Sequence, residues 1–193
     1  MTEHLLNVHG YRDVVFAGGP PGSPYSQARF AGFRQALAAA AGLPRPPRPA
    51  LRADFSEAGG RRLAAEILAA KELLRAAVAA NDQMAVGLVS SLAAAGVGVA
   101  GQVAVTGFDG VQLSRFCLPP LTTVHQPMRE LGATCISMLL ARLGQAAARF
   151  VGPAPAAPSR PPRTAVLPTT LVIRKSCGCA AGLPAPWPAG DKR

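Results

Sequence analysis

Several polar side chains follow the ends of predicted strands, and together they offer hydrogen bonds to a small ligand. Asn81 and Asp82 follow the apolar run "AAVAA", Asp109 ends "QVAVTGFD", and Asp54 precedes Phe55 after a weaker strand. An amide donates and accepts hydrogen bonds, and a carboxylate accepts them. With an aromatic plate beside them, these groups suit a ligand with vicinal hydroxyls or a heterocycle.

Arg29 is expected to join this set from the helix that follows the first predicted strand, "RDVVFAGG". Its guanidinium is a rigid fork of hydrogen-bond donors. Asp82 taken alone is most simply a helix N-cap. We therefore assign the ligand-facing role to Asn81 and the capping role to Asp82.

Groups that catalysis would need are missing from this set. The sequence has no G-x-S-x-G nucleophile elbow and no P-loop, and "GGPPGS" lacks the glycine spacing of a dinucleotide site. His125 is the one histidine that could lie near the set. The sequence therefore predicts a binding protein rather than an enzyme, and it predicts no cofactor.

The net charge of +10 raises the question of nucleic-acid binding. The arginines are scattered through predicted loops and helices, however, and no basic stripe is interleaved with aromatics, so most of this charge is expected on solvated surface. No run of about 18 apolar residues is present, so no membrane span is expected. The start, "MTEHLLNVHGYRD", lacks the pattern of a secretory signal, which predicts a cytoplasmic protein.

The cysteines and histidines do not suggest a metal site from their spacing. A structural zinc site commonly combines two close pairs of ligands, and only Cys177 and Cys179, in "CGC", form such a pair. The three histidines, at positions 4, 9 and 125, are expected to lie far apart. The sequence therefore predicts free thiols and no bound metal.

Extended and helical patterns alternate at least four times, which predicts an open parallel α/β sheet flanked by helices. Ligands bind beyond the carboxyl ends of the strands in such sheets, where the polar set is expected. A further helix is predicted over 127–143. A Pro/Ala/Arg-rich loop at 144–165, a final strand at 166–176 and a disordered tail at 177–193 complete the predicted order.

Four segments of the chain resemble the lactose-repressor (LacI/GalR) family of bacterial transcription regulators. They are "HLLNVHGYRDVVFAGGPPGSPYSQARFAGFRQAL", "NDQMAVGLVSSLAAAGVGVAGQVAVTGFDG", "LPPLTTVHQPMRELG" and "LPTTLVIRKSCG". The resemblance spans about residues 3–143 and 166–178. It implies a periplasmic-binding-protein-like fold, mostly one lobe of a two-lobed sensor that binds small molecules, mostly sugars and sometimes purines, between its lobes.

The resemblance also implies roles for individual residues. Effector contacts would come from Arg29, Asn81 and Asp109, stacking from Phe55, and weaker contributions from Tyr25 and Gln126. The homodimer typical of the family would use the faces near Val86 and Cys117. Residues 1–143 then form the sensor lobe, with the helix at 127–143 returning toward a first lobe.

The sequence departs from the family pattern in several places. Nothing in it reads as the helix-turn-helix domain through which family members bind operator DNA, and the first lobe would precede "HLLNVHGYRD". Gly110 replaces the second acid of the common "GFDD". We therefore expect the effector-sensing, sugar-binding portion of a LacI-family regulator, truncated at its N-terminus.

Two other functional classes remain open. One is a stand-alone sugar-binding protein of a transport system, which has a related fold but normally carries a signal peptide. The other is a small α/β hydrolase or nucleotide enzyme, which would need a nucleophile with a base or a phosphate-binding loop.

Overall fold

The computed structural model describes residues 1–40, 48–70, 72, 74–150 and 164–179, and for 144–150 it describes the backbone. The chain divides into two compact units. The first combines Met1–His125 with Thr170–Arg193, and the second is Gln126–Thr169.

The first unit contains one six-stranded sheet with helices around it. Its strands are β1 (Val14–Gly18), β2 (Leu51–Arg52), β3 (Ala76–Ala79), β4 (Ala104–Asp109), β5 (Thr122–His125) and β6 (Thr170–Val172). Its helices are α1 (Thr2–Asn7), α2 (Pro24–Ala39), α3 (Glu57–Leu68) and α4 (Asp82–Ala94), with 3-10 turns at Gln112–Arg115 and Lys175–Cys177.

The strand order β2-β1-β3-β4-β5-β6 confirms the predicted open α/β sheet. Strands β1 to β5 are parallel, and β6 pairs antiparallel with β5. The chain leaves β1 toward β2 on one side and then returns to β3 on the other. The crevice at such a reversal, beyond the carboxyl ends of the strands, is where open α/β sheets bind ligands.

The core lies between the sheet and its helices because the central strands are apolar along their whole length. Every residue of β1 and of β3 is buried, as expected for parallel strands covered on both faces. The ring of Phe16 on β1 lies 5.3 Å from that of Phe30 and 5.5 Å from that of Phe33 on α2, centroid to centroid. This packing fixes α2, and with it Arg29, against the sheet.

The segment after β6 is held to the sheet by Ser176. Its hydroxyl donates to the carbonyl of Val105 (2.5 Å) and accepts from the amide of Thr122 (2.8 Å). Cys177 is fully buried in the core, so the predicted disordered tail begins too early. The error arises because a buried cysteine packs as a small apolar side chain; residues 180–193 of that tail lie outside the described residues.

The second unit contains α5 (Met128–Phe150). The helix extends seven residues beyond the predicted end at 143, because "QAAAR" consists of strong helix formers. Residues 151–163 of the predicted loop lie outside the described residues, and the final strand is shorter than the predicted 166–176. Large apolar side chains on α5 are exposed: Met128, Leu131, Ile136, Leu139, Leu140 and Leu143.

None of the helices in the described part of the chain combines the length and hydropathy needed to cross a membrane.

Candidate functional site

Arg29 joins the ends of two neighbouring strands. From α2 its Nη1 donates to the carbonyl of Ala80, just beyond β3, at 2.6 Å, and its Nη2 lies 3.4 Å from Oδ1 of Asp109 at the end of β4. Its guanidinium carbon also lies 3.9 Å from the centre of the Phe108 ring, a cation–π contact. The sequence-predicted pair of Arg29 and Asp109 is therefore brought together at the carboxyl end of the sheet.

The charge of Arg29 is held in a half-buried position. Burial lowers the pKa of Arg29, and the carboxylates of Asp109 and Asp82 act in the opposite direction. Because the ordinary value is far above neutral, the side chain stays charged. A guanidinium has five N–H donors, more than the contacts above use, so Arg29 can also donate to a ligand.

Phe55 forms an aromatic plate beside these groups. Its ring packs over Gly19, where an added Cβ would lie 2.1 Å from Cζ of Phe55. The backbone of Phe55 has a φ of +66°, which is strained for a bulky residue. The amide Nδ2 of Asn81 donates to the Phe55 carbonyl at 2.8 Å and so holds this conformation.

Asn81, not Asp82, caps α4. Its Oδ1 accepts from the amide of Met84 at 3.0 Å, and its backbone is extended as an N-cap requires. The prediction that Asp82 is the cap is therefore wrong. Two adjacent capping residue types could each have begun the helix, and only the backbone geometry decides between them.

Asp82 is instead buried beneath the site. Its Oδ1 accepts from the hydroxyl of Thr123 (2.6 Å), and its Oδ2 accepts from the amide of Val111 (2.8 Å). Burial raises the pKa of Asp82 to about 6, although these hydrogen bonds act in the opposite direction. Asp82 thereby ties β5 and the turn after β4 to the start of α4.

The remaining predicted site residues have less defined surroundings. Tyr25 lies on the first turn of α2 and is 74% exposed. Gln126 opens the second unit, so its effector role stays a prediction. Val86 and Cys117 are half-buried in the first unit, and their dimer role likewise stays a prediction.

Two neighbours of the site were missed by sequence reasoning. Phe108 lies under Arg29 and stands in the same "GFD" motif as Asp109, which could have drawn attention to it. Arg52 ends β2, and its Nη1 donates to Oγ of Ser26 at 3.3 Å. No pattern in the sequence distinguishes Arg52 from the other scattered arginines.

Four potential metal ligands meet at the amino end of the sheet. Nε2 of His4 lies 3.3 Å from Nε2 of His9, and both lie near Sγ of Cys179. The side chain of Cys177 completes the group. The expectation that these histidines lie far apart is therefore wrong, because the fold joins the start of the chain to the segment after β6.

Known proteins show which family shares this fold. The periplasmic binding protein-like domain family matches residues 2–177. The chain belongs to this family. Its relatives include the ribose operon repressor of Escherichia coli K12, 34% identical over 144 residues, which cover 75% of this chain and 43% of the repressor. The PurR repressor of Pasteurella multocida is 32% identical over 75% of this chain and 42% of its own length.

Solved structures of LacI-family proteins share the architecture of this periplasmic-binding-protein-like domain. A dimeric Lac repressor has a TM-score of 0.76 at 28% identity, covering 91% of this chain and 58% of its own. A LacI-family regulator from Sanguibacter keddieii has a TM-score of 0.78 at 32% identity, covering 92% and 62%. The CelR–cellobiose complex has 0.76 at 28% identity, covering 91% and 49%. The LacI-family resemblance is confirmed, and the chain spans less than half of the curated relatives above.

Proposed function

We propose that this chain is the effector-sensing portion of a LacI-family transcriptional regulator and that its effector is a sugar. The observation that carries the proposal is the bridge from Arg29 to Ala80 and Asp109 at the carboxyl end of the sheet, beside the strand-order reversal. Operator DNA would be bound by a helix-turn-helix domain outside this chain. The protein would act in the cytoplasm, without catalysis.

The chemistry of the bridge suits a neutral ligand with several hydroxyl groups. Asp109 can accept from a hydroxyl, Arg29 can donate to the same ring, and Phe55 offers a flat apolar surface to one face of the sugar. CelR, which has the same fold, was solved as a complex with cellobiose, and another relative is named for the ribose operon. Both names support a sugar, while the family resemblance keeps purines among the ligands to test.

Signal transmission would use surfaces that this chain leaves exposed. In the intact regulator, effector binding would shift the equilibrium between two arrangements of the lobes and so change operator affinity. We propose a homodimer that uses the faces near Val86 and Cys117. Phe116 and Leu118, on either side of Cys117, are 70% and 82% exposed, which supports an interface there.

Ligand titration of the isotopically labelled 193-residue chain, followed by NMR, tests the site. The panel contains ribose, cellobiose, galactose and hypoxanthine. A matching sugar is expected to shift the resonances of Arg29, Asn81 and Asp109, and Arg29→Ala and Asp109→Ala should abolish those shifts. Arg34→Ala and Glu66→Ala, exposed changes of the same types on α2 and α3, should leave them intact.

Shifts confined to other parts of the sheet, or shifts that survive both site variants, would show that the site assignment is wrong. Resonance shifts with hypoxanthine and with none of the sugars would show that the effector is a purine and not a sugar.

A stand-alone sugar-binding protein of a transport system is the second candidate. It would have the same fold and the same kind of site, but the named curated relatives are repressors, which favours the regulator. The DNA upstream of the Met1 codon separates the two. An in-frame helix-turn-helix coding sequence supports the regulator, and a signal-peptide coding sequence supports transport.

A further inference from the structure

We propose that His4, His9, Cys177 and Cys179 form a structural Zn²⁺ site at the amino end of the sheet, away from the effector site. One ligand atom from each of these side chains lies within 4.8 Å of all the others. Two imidazoles and two thiolates around one ion are a common composition of structural zinc sites. The proposal is independent of the proposed effector function.

The distances between the ligand atoms match those of a tetrahedron around zinc. Zn–N bonds of about 2.0 Å and Zn–S bonds of about 2.3 Å place N and N about 3.3 Å apart, and N and S about 3.5 Å apart. The two Nε2 atoms are 3.3 Å apart, and Sγ of Cys179 lies 3.6 Å from Nε2 of His4 and 3.4 Å from that of His9. Three edges of the tetrahedron are therefore already formed.

The sequence around the ligands supplies the necessary turns. His4 and His9 are separated by four residues, within the spacing that zinc sites use for histidine pairs. The cysteines are separated by Gly178 alone, whose φ of +100° is in the left-handed region. A Cβ at Gly178 would lie 2.6 Å from the hydroxyl oxygen of Tyr11, so glycine is required between the two thiols.

Tyr11 contacts both a cysteine and a histidine of the proposed zinc site. Its hydroxyl donates to the carbonyl of Cys177 at 3.3 Å, and its ring stacks on His9 with a centroid distance of 5.1 Å. Outer partners of this kind orient metal ligands in known sites. Cys177 is fully buried, whereas the other three ligands are half-buried, so an ion could enter from the histidine side.

Zn²⁺ suits the charge and softness of this group. Two thiolates neutralise the ion, which limits the cost of placing charge in a half-buried site, and two protons leave the thiols on binding. Four protein ligands complete a tetrahedral sphere and leave no open position, as in structural rather than catalytic zinc sites. The ion would join α1 to the segment that follows β6 and so connect two distant parts of the first unit.

The test measures metal content and Co²⁺ binding in the reduced 193-residue chain. We expect one equivalent of zinc to remain after gel filtration, and Co²⁺ added to the zinc-free chain to give the intense visible bands of a tetrahedral sulfur-containing site. Zn²⁺ should abolish those bands by displacement. Cys179→Ser and His9→Gln should each weaken Co²⁺ binding more than the 10- to 100-fold that loss of an outer partner typically costs.

Cys135→Ser is the matched control, since Cys135 is exposed on α5, and it should bind Co²⁺ like the parent chain. The melting temperature of the parent, but not that of Cys179→Ser, should rise with added ZnCl2. Absence of zinc and of cobalt bands in the fully reduced chain would overturn the proposal. So would a Cys177–Cys179 disulfide that forms in preference to metal binding, or Co²⁺ affinity that Cys179→Ser and His9→Gln leave unchanged.

Discussion

The two ends of the sheet differ in how their polar side chains are arranged. At the carboxyl end, donors and acceptors are paired with each other: Arg29 with Asp109, Asn81 with the Phe55 carbonyl, and Asp82 with Thr123. At the amino end, the Nε2 atoms of two imidazoles and the Sγ atom of a thiol lie within 3.6 Å of one another. Under the two proposals above, the first arrangement would bind a neutral ligand that exchanges hydrogen bonds, and the second would bind a cation.

The difference predicts different sources of rigidity. The carboxyl end should keep its geometry without a ligand, because protein groups already satisfy one another there. At the amino end Ser176 already holds the segment after β6 to the sheet, but the cluster of His4, His9 and the two cysteines should gain further stability from an ion. Substitutions that disturb one end at a time, each measured by urea unfolding of the zinc-free chain, test this contrast.

Gly107→Ala should have the largest effect, because it crowds the buried carboxylate at the carboxyl end. The new Cβ would lie 2.2 Å from Oδ1 of Asp82 and 2.9 Å from Cδ2 of Leu121. Overpacking and the loss of the Asp82 hydrogen bonds together should cost about 4 kcal/mol of the free energy of unfolding. In contrast, Gly32→Ala on α2 meets nothing within 4 Å and should stabilise by up to about 1 kcal/mol. A loss of less than about 1 kcal/mol of the free energy of unfolding for Gly107→Ala would show that the carboxyl end is not rigid and relaxes around the added methyl group.

Titration of Asp82 should be the next largest effect. Its pKa is raised from 3.8 to about 6 in the folded chain, so between these values the folded state holds a proton that the unfolded state has lost. The contribution of Asp82 to stability is therefore greatest below about pH 4 and falls as the pH rises to about 6, by at most about 3 kcal/mol.

Asp82→Asn should remove this pH dependence of stability, because an amide does not titrate in this range. The variant should still fold, because the amide can accept from Val111 and can donate to the hydroxyl of Thr123. Asp54→Asn is the control. Hydrogen bonds from Ser56 hold the pKa of Asp54 down at about 2, so its contribution is lost only as the pH falls below about 4. A slope between pH 4 and 6 that survives Asp82→Asn would assign it to another group.

Asn81→Ala should cost about 2 kcal/mol, because it removes the α4 cap and leaves the Phe55 carbonyl without its donor. Ser23→Ala removes only the cap of α2 and should cost about 1 kcal/mol. The difference between these two costs measures the contribution to stability of the hydrogen bond from Asn81 to the Phe55 carbonyl. Equal costs for the two variants would mean that Phe55 keeps its strained backbone without Asn81.

Tyr11→Phe at the amino end should have the smallest effect, about 1 kcal/mol or less, because it removes one 3.3 Å hydrogen bond and leaves the ring that stacks on His9. Tyr25→Phe, at an exposed position, should cost nothing measurable. A larger loss in the free energy of unfolding for Tyr11→Phe than for Asn81→Ala would contradict the prediction that hydrogen bonds stabilise the carboxyl end more than the zinc-free amino end.

Local patterns in the sequence were sufficient for the sheet class and for placing several candidate site residues at one edge of the sheet. Parallel strands and their following helices have periodic apolar residues, and the carboxyl ends of parallel strands necessarily meet, so Arg29, Phe55, Asn81 and Asp109 could be placed together. Local patterns could not decide which of Asn81 and Asp82 caps α4. They also placed the end of α5 too early, because helix-forming "QAAAR" follows a glycine.

By itself the sequence determined which residues are apolar, where helices can begin and which polar groups follow each strand. Only the tertiary structure decided which distant groups meet. His4 and Cys179 are 175 positions apart in the chain, and no local pattern reports a contact across that separation. The antiparallel strand β6 returns the chain to the amino end of the sheet, and that return brings the cysteines to the histidines.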